Sequence, residues 1–141
     1  MASIDFSFIV SDNEKIVQAA LDRGNYLQAL ILIHVLIESL MRAFLELTDD
    51  NLRFQQLIEH YEEFLGRESP GIKSFVKELT EFNRRRNRIV HELWRKGYTF
   101  TNRQAKDATV VSVRMYSLFI EFLQTYDEDL EGKGFQYNED K

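Results

Sequence analysis

The segment Arg86–His91 has the residue types and the spacing of a site that could handle a phosphodiester. It reads Arg-Asn-Arg-Ile-Val-His, so an arginine, an adjacent amide and a histidine lie within six residues. The guanidinium of arginine offers a fixed fork of donors that matches phosphate oxygens. The imidazole of histidine can accept and return a proton near neutral pH. The candidate catalytic residues are therefore Arg86, Asn87 and His91.

Positive charge is concentrated around this motif in a chain whose formal net charge is −5. Residues 82–106, named here the basic segment, hold eight Lys and Arg residues and one acidic residue, while the rest of the chain holds ten basic and 22 acidic residues. Attraction to phosphates depends on the local charge more than on the total, so the segment suits RNA. The alternative is a solvated helix face that meets an acidic surface. The candidate RNA-binding residues are Arg84, Arg85, Arg88 and Arg95.

The composition favours a single globular helical domain. Hydrophobic residues make up 44% of the 141 residues, with only one Pro and six Gly, which favours long uninterrupted elements. Cysteine is absent, which excludes disulfides and thiolate metal sites and fits a reducing cytosol. Residues 1–12 lack a signal-peptide pattern, and the charge-free stretch Gly24–Ile37 is 14 residues long, whereas a bilayer span needs about 20. We therefore expect a cytoplasmic protein without a membrane segment, metal or cofactor.

Hydrophobic spacing predicts an all-α protein, an antiparallel bundle of four to five helices in one domain over 1–141. The core is predicted over about 12–126, followed by an acidic tail, 127–141, that frays. Residues 4–8 alternate apolar and polar types, which predicts an extended arm or a short strand. The predicted helices begin at a capping box, Ser11–Glu14, and span about 11–23, 25–47, 51–65, 72–96 and 103–130.

Local signals set the predicted boundaries of these helices. Residues 48–50 supply cap candidates for the third helix, and 66–71 form the clearest predicted loop. Gly97 is the predicted stop of the fourth helix, and Thr101 or Asn102 is the predicted cap of the fifth. The predicted inward residues of the fifth helix are Val110 or Val111, Met115, Leu118 or Phe119, Phe122 and Tyr126.

Arg86 falls in the middle of the apolar stripe of the fourth predicted helix, at about 100° per residue. A cation at such a position is costly unless it is paired or lies at a groove. On the second predicted helix, His34, Glu38 and Arg42 are spaced four apart along one side, so each needs a partner. One interpretation is that Glu38 is a structural polar partner of Arg86, whether or not the site is catalytic.

Two segments together resemble the HEPN family (higher eukaryotes and prokaryotes nucleotide-binding), which are small α-helical bundles. Arg86–His91 is similar to the family's R-x-x-x-x-H motif, including the polar residue directly after the arginine. Leu32–Arg42 is similar to the family's earlier helix, where an apolar stretch carries a Glu and then a basic residue. The likeness covers about residues 14–126 and fits the helix order.

The resemblance implies a metal-independent endoribonuclease that acts as a homodimer with both motifs in one cleft. Such proteins are often toxins of toxin–antitoxin, phage-defence or abortive-infection systems, so a partner antitoxin protein is expected. HEPN toxins paired with a small nucleotidyltransferase often carry Tyr two residues after the motif histidine. Here that position is Leu93, so a nucleotidyltransferase antitoxin is not implied.

On this interpretation, the 2′-hydroxyl of RNA attacks the adjacent phosphate, a route that needs proton transfer and positive charge but no metal. His91 would move the proton, Arg86 would stabilise the phosphorane, and Asn87 would orient the substrate or the His91 ring. Residues five apart on one helix point about 140° away from each other. Two copies in a symmetric dimer are therefore expected to complete the site.

Other functions fit the same residues. A catalytically inactive HEPN-like module that binds nucleotide, RNA or a protein partner would share the basic segment. A structural dimer whose arginines meet acidic faces such as Glu59–Glu63 is a third class. His34 is interpreted as a core histidine and His60 as a solvated one. Trp94 and Tyr98 either stack on a base or pack in a core or dimer interface.

Overall fold

A computed structural model describes residues 6–47, 51–65, 70–125, 128–130 and 132–135, and within these ranges the protein is helical without a strand. The helices are α1 (Phe6–Asp22), α2 (Tyr26–Leu45), α3 (Phe54–Leu65) and α4 (Pro70–Gln124), and a short 3-10 helix, Glu128–Leu130, follows. The all-α prediction is confirmed. The predicted caps at 48–50 and most of the predicted loop, 66–69, lie outside the described residues.

α4 is divided by Gly97, whose φ of 80° and ψ of 168° are not helical. Residues 70–96 are named here the first arm and residues 98–124 the second arm. The arms lie side by side, because the ring of Phe75 is 5.4 Å from that of Phe119 and 4.9 Å from that of Phe122 between centroids. Glycine adopts a positive φ at little steric cost. The predicted helix stop at Gly97 is thus confirmed as a sharp turn between the two arms.

α2 lies at the centre and packs against α1, α3 and α4. Its apolar side chains nearly surround it, and ten of its residues are buried, as expected for a central helix. Among the described helices, α2 alone has the length and composition to cross a membrane, and 56% of that window is buried inside the protein. The core position of this helix matches the sequence prediction.

The N-terminus of α2 is capped from across the fold by Asn102 of the second arm. Its Oδ1 accepts a hydrogen bond from the backbone N–H of Leu27 at 2.9 Å, and its Nδ2 donates to the carbonyl of Gly24 at 2.9 Å. The prediction that Asn102 or Thr101 caps a fifth helix is therefore wrong. The second arm begins directly after Gly97, and the hydroxyl of Thr101 donates back to the Gly97 carbonyl at 2.7 Å.

The core extends further toward the N-terminus than the sequence predicted. α1 begins at Phe6, so Ser11 lies inside the helix, and both the capping box and the extended arm over 6–8 are wrong. The physical reason is tertiary packing, since Val10 is buried in the core. A Cβ built at Gly134 would lie 2.6 Å from the carbonyl oxygen of Ser7, so α1 and the 132–135 segment are in close contact. Residues 1–5 lie outside the described part.

The acidic tail is also more tightly packed than predicted. Leu130 and Phe135 are fully buried, so the prediction that 127–141 frays is wrong for 128–130 and 132–135. Two large apolar side chains in an otherwise polar stretch are enough to bind it to the core. Residues 126–127, 131 and 136–141 lie outside the described part of the chain.

The second arm turns its predicted side inward over residues 115–122 but not at 110–111. Met115 and Phe119 are buried as predicted, and Phe122 is partly buried, but Val110 and Val111 are exposed. The turn at Gly97 sets the orientation of this arm, and periodicity along the sequence does not determine that turn. Tyr126 lies outside the described residues.

Candidate functional site

Arg86 is half-buried on the first arm and borders a groove of about 560 Å³ between the two arms. The sequence placed Arg86 in the middle of the apolar stripe of this helix, and in the structure that position borders a groove. A cation at a groove costs less free energy than one enclosed in the core, because it keeps contact with water. The groove combines apolar and basic side chains. The large apolar residues that line it include Leu30, Phe82, Val111 and Met115, and the basic ones are Lys77, Arg85, Arg86 and Arg114.

Within the described residues, the guanidinium of Arg86 uses one of its five N–H donors in a hydrogen bond to another side chain. Its Nη1 donates to Oδ1 of Asn87 at 3.0 Å, and its buried Nε has no hydrogen-bond partner within the described residues. Burial lowers the pKa of Arg86 below its ordinary value, while the carboxylate of Glu38 acts in the opposite direction. An arginine remains protonated in proteins. The result is a partly desolvated cation with spare capacity for an anion.

Glu38 pairs with Arg42 and not with Arg86. Oε1 of Glu38 is 3.2 Å from Nη2 of Arg42, and the same Nη2 donates to the carbonyl of Leu52 at 2.7 Å. No ion pair of 4.0 Å or less joins Glu38 to Arg86, although both lie in described helices. The interpretation of Glu38 as a contact partner of Arg86 is thus wrong, because Arg42, one turn along α2, holds the carboxylate. Glu38 still acts on Arg86 electrostatically.

His34 lies in the core beside this group, as the sequence predicted. Its Nε2 lies 3.0 Å from Oδ1 of Asn83 and donates to it, and its ring stacks on Phe54 with centroids 4.2 Å apart. Burial lowers the pKa of His34 below its ordinary value, and the charge of Arg86 adds to that effect. A neutral, hydrogen-bonded imidazole in this setting is a packing element. The partner residue Asn83 was not foreseen in this role.

His91 is exposed on the first arm and does not line the groove that Arg86 borders. Its ring meets the ring of Trp94 edge-on, with centroids 6.1 Å apart and planes at 79°. Asn87 is also exposed. One chain therefore joins Arg86 and Asn87 by a hydrogen bond, whereas Arg86 and His91 diverge by about 140°, as expected for residues five apart on a helix. Asn87 and His91 are four apart and lie on the same side of the first arm.

The predicted RNA-binding residues fall into two groups. Arg85 is half-buried and lines the groove, whereas Arg84, Arg88 and Arg95 are exposed. Arg84 lies 3.4 Å from Glu81, an exposed pair of the kind that contributes little to stability. These cations are therefore available to a polyanion at small cost.

Glu92, the one acid of the basic segment, is held by its neighbours. Its carboxylate lies 2.9 Å from Lys96 and 3.6 Å from Arg95. The hydrogen bond from Lys96 and the nearby cations lower the pKa of Glu92. A carboxylate that stays ionised partly neutralises the end of the first arm, so the most positive part of the segment lies around 84–88.

Three aromatic residues lie exposed around the turn at Gly97. Trp94 is 75% exposed, Tyr98 49% and Phe100 43%. The ammonium of Lys96 lies 5.0 Å from the ring centre of Phe100. Of the alternatives left open by the sequence, packing of Trp94 in the core of its own chain is excluded.

No group of three or more His, Asp or Glu residues suited to a metal ion occurs in the described ranges. Comparison of the chain with protein-family models, with curated proteins and with solved structures gives no match. The case for a function therefore rests on the residues and geometry above. Lys77 and Arg114, which line the groove, had no sequence signal, because their approach depends on how the two arms pair.

Proposed function

We propose that this protein is a HEPN-type, metal-independent endoribonuclease that acts as a homodimer. The observation that supports the proposal is that the basic first arm carries both a half-buried Arg86 at a groove and an exposed His91. Arg86 has guanidinium N–H donors besides the one bonded to Asn87 with which it can bind phosphate at the groove, and His91 is accessible for proton transfer. The biological role that fits the resemblance is a toxin of a toxin–antitoxin or phage-defence system.

The proposed reaction is an internal displacement at phosphorus. The 2′-oxygen of the ribose loses its proton and forms a bond to the adjacent phosphorus, while the bond from phosphorus to the 5′-oxygen breaks. One imidazole takes the proton from the 2′-hydroxyl, and a second imidazole or water gives a proton to the leaving 5′-oxygen. Arg86 stabilises the extra negative charge on the phosphorane. The products are a 2′,3′-cyclic phosphate and a 5′-hydroxyl.

A dimer supplies what one chain lacks. Arg86 and His91 of one chain point away from each other, and His91 lies outside the groove. A two-fold arrangement with the first arms facing each other would bring Arg86 of one copy near His91 of the other.

The direct test is RNA cleavage in the presence of a metal chelator. The parent protein is expected to cut, and a substrate with 2′-deoxyribose at the cut position is expected to stay intact because the attacking hydroxyl is missing. His91→Ala is expected to abolish cutting while leaving the fold unchanged. His60→Ala, which removes an exposed histidine from α3, serves as the control. Cutting by His91→Ala at the parent rate, or cutting of the 2′-deoxy substrate, would refute the assignment.

A second candidate is a catalytically inactive module that binds RNA, nucleotide or a protein. The separation of His91 from Arg86 within one chain favours this alternative if no dimer forms. The two functions differ in a simple expression experiment. A nuclease toxin is expected to arrest growth of a host cell, with relief by His91→Ala, whereas an inactive module causes no arrest that depends on His91.

A further inference from the structure

The indole of Trp94 is the most exposed large apolar side chain in the described part of the chain, at 75%. One exposed apolar side chain is ordinary, but Trp94 lies near two further exposed aromatic rings at the turn, Tyr98 and Phe100, and such a patch is typical of a binding surface. Trp94 follows His91 by three residues on the first arm, which places both on the same side of the helix. The edge-on contact between their rings leaves a face of the indole open.

Exposed cations lie on both sides of the turn at Gly97. Arg95 and Lys96 follow Trp94 directly, and Arg103 lies exposed on the second arm. Glu92 offsets part of the charge of Arg95 and Lys96, but Arg103 has no ion pair within the described residues. Tyr98 and Phe100 add two further exposed aromatic rings at the same turn.

This combination matches a single-stranded nucleic acid better than a membrane. A strand needs a ring face for a base and cations for its phosphates, both of which the turn provides. Membrane insertion needs a broad apolar helix face, whereas the exposed side chains of Arg88, Arg95 and Lys96 make this end of the first arm polar. A duplex keeps its bases stacked on each other and has none to offer to the indole.

We infer that Trp94 is a stacking platform for an unpaired base of single-stranded RNA, next to the point where the strand is cut. The inference rests on the proposed function, since it names the substrate class of the same site. A base on the indole places its own ribose and phosphate beside His91. The turn at Gly97 then selects unpaired RNA, and the arginines of the first arm bind the phosphates that follow.

The test uses the fluorescence of Trp94, which is the one tryptophan of the chain. The parent protein is titrated with a 2′-O-methyl oligouridine, which cannot be cut, and with a 2′-O-methyl duplex of equal charge. Stacking is expected to quench the emission with the single strand and much less with the duplex. Because Trp94→Ala has no tryptophan, its binding is measured with a fluorescent label on the oligonucleotide. The substitution is expected to weaken single-strand binding by about tenfold or more and to leave duplex binding unchanged.

Phe64→Ala is the matched control, because Phe64 is 66% exposed on α3, outside the basic segment, and lies against Phe44. It is expected to bind both oligonucleotides like the parent. Circular dichroism and Tm of Trp94→Ala are expected to match the parent, since the indole is outside the core. Trp94→Phe is expected to recover most of the affinity because it restores a ring.

Three results would overturn the inference. Equal quenching by single strand and duplex would show contact without base stacking. A blue shift with phosphatidylglycerol vesicles and no quenching by RNA would assign the indole to a membrane. A blue shift that grows with protein concentration in the absence of RNA would assign it to a contact between copies.

The inference and the proposed function fail separately. Cleavage without quenching leaves the nuclease in place and ends the stacking role. Quenching without cleavage supports the stacking role and makes the protein an RNA-binding module.

Discussion

The guanidinium of Arg86 donates a hydrogen bond to the side-chain oxygen of its neighbour Asn87 at 3.0 Å. The amide of Asn87 thus orients the arginine, and among the described residues no hydrogen bond joins it to the His91 ring. Residues next to each other on a helix rarely face each other, so the bond depends on the long arginine side chain. It holds Nη1 while the buried Nε remains without a partner.

Replacing Asn87 by Ala is expected to lower kcat/KM for RNA by about tenfold, because a hydrogen bond to a charged group that positions Arg86 is lost. The free energy of unfolding is expected to change by less than about 0.5 kcal/mol, as for other exposed positions. A double-mutant cycle with Arg86→Ala, measured as affinity for an RNA that cannot be cut, gives the coupling energy. If the two losses simply add, Asn87 acts on something other than Arg86.

The exposed arginine Arg88 is expected to contribute a phosphate contact. In Arg88→Ala, the slope of log affinity against log salt concentration is expected to become shallower by about 0.7, the value for one phosphate contact on a single strand. Arg23→Ala, which removes an exposed cation outside the basic segment, is expected to leave the slope unchanged. Equal effects of the two substitutions would indicate a general response to net charge without a localised binding surface.

Protonation of His34 is expected to make the protein less stable in mild acid. Burial lowers the pKa of His34 below its ordinary value of 6.5, so as the pH falls through 6.5 the unfolded chain takes up a proton that the folded protein excludes. The free energy of unfolding therefore declines from pH 7.5 toward the folded pKa, by at most about 1.4 kcal/mol per pH unit. Above 6.5 both states are neutral and the contribution is complete.

Urea unfolding at pH 7.5 and pH 5.5 measures this effect. His34→Gln keeps a donor for Asn83 but is expected to be less stable than the parent. Because the titrating imidazole is gone, its free energy of unfolding is expected to depend much less on pH. His60→Gln, at an exposed position of α3, is expected to keep the parent's dependence. If the free energy of unfolding changes by the same amount between the two pH values in the parent and in His34→Gln, His34 does not titrate as described.

The cap that Asn102 supplies to α2 is expected to be important for stability. Asn102→Ala removes both the acceptor for the Leu27 N–H and the donor to the Gly24 carbonyl, and we expect a loss of about 1–2 kcal/mol. Asn102→Asp keeps the acceptor and is expected to lose less. Gln104→Ala, at an exposed position of the same arm, is the control. If Asn102→Ala unfolds at the parent's urea midpoint, the contact is not a stabilising cap.

Features set by local patterns were predictable from the sequence. Glycine at 97 and the stripe from Leu79 to Ile89 indicated where a helix stops and which side faces inward, and both agree with the structure. The core position of His34 followed from the apolar residues around it. Periodicity and turn chemistry act within a few residues, so they can be read without knowing the fold.

Features set by the approach of distant segments were not predictable. The partner of Glu38 was assigned to Arg86, but the backbone carbonyl of Leu52 helps to hold Arg42 beside Glu38. Asn102 has the residue type of a local cap, but it caps α2 instead. Its hydrogen-bond partner, Leu27, lies 75 positions earlier in the chain. The close approach of Gly134 to Ser7 of α1 likewise joins distant segments and is not set by the composition of the tail.

The central claim is that Arg86 of one subunit and His91 of the other act on the same phosphodiester. Arg86→Ala and His91→Ala, each inactive alone, can be co-expressed with different tags and the heterodimer purified. One of its two sites then has both residues intact across the interface, so we expect the heterodimer to recover about half of the parent's cleavage rate per dimer. A heterodimer as inactive as the Arg86→Ala homodimer or the His91→Ala homodimer would contradict this arrangement.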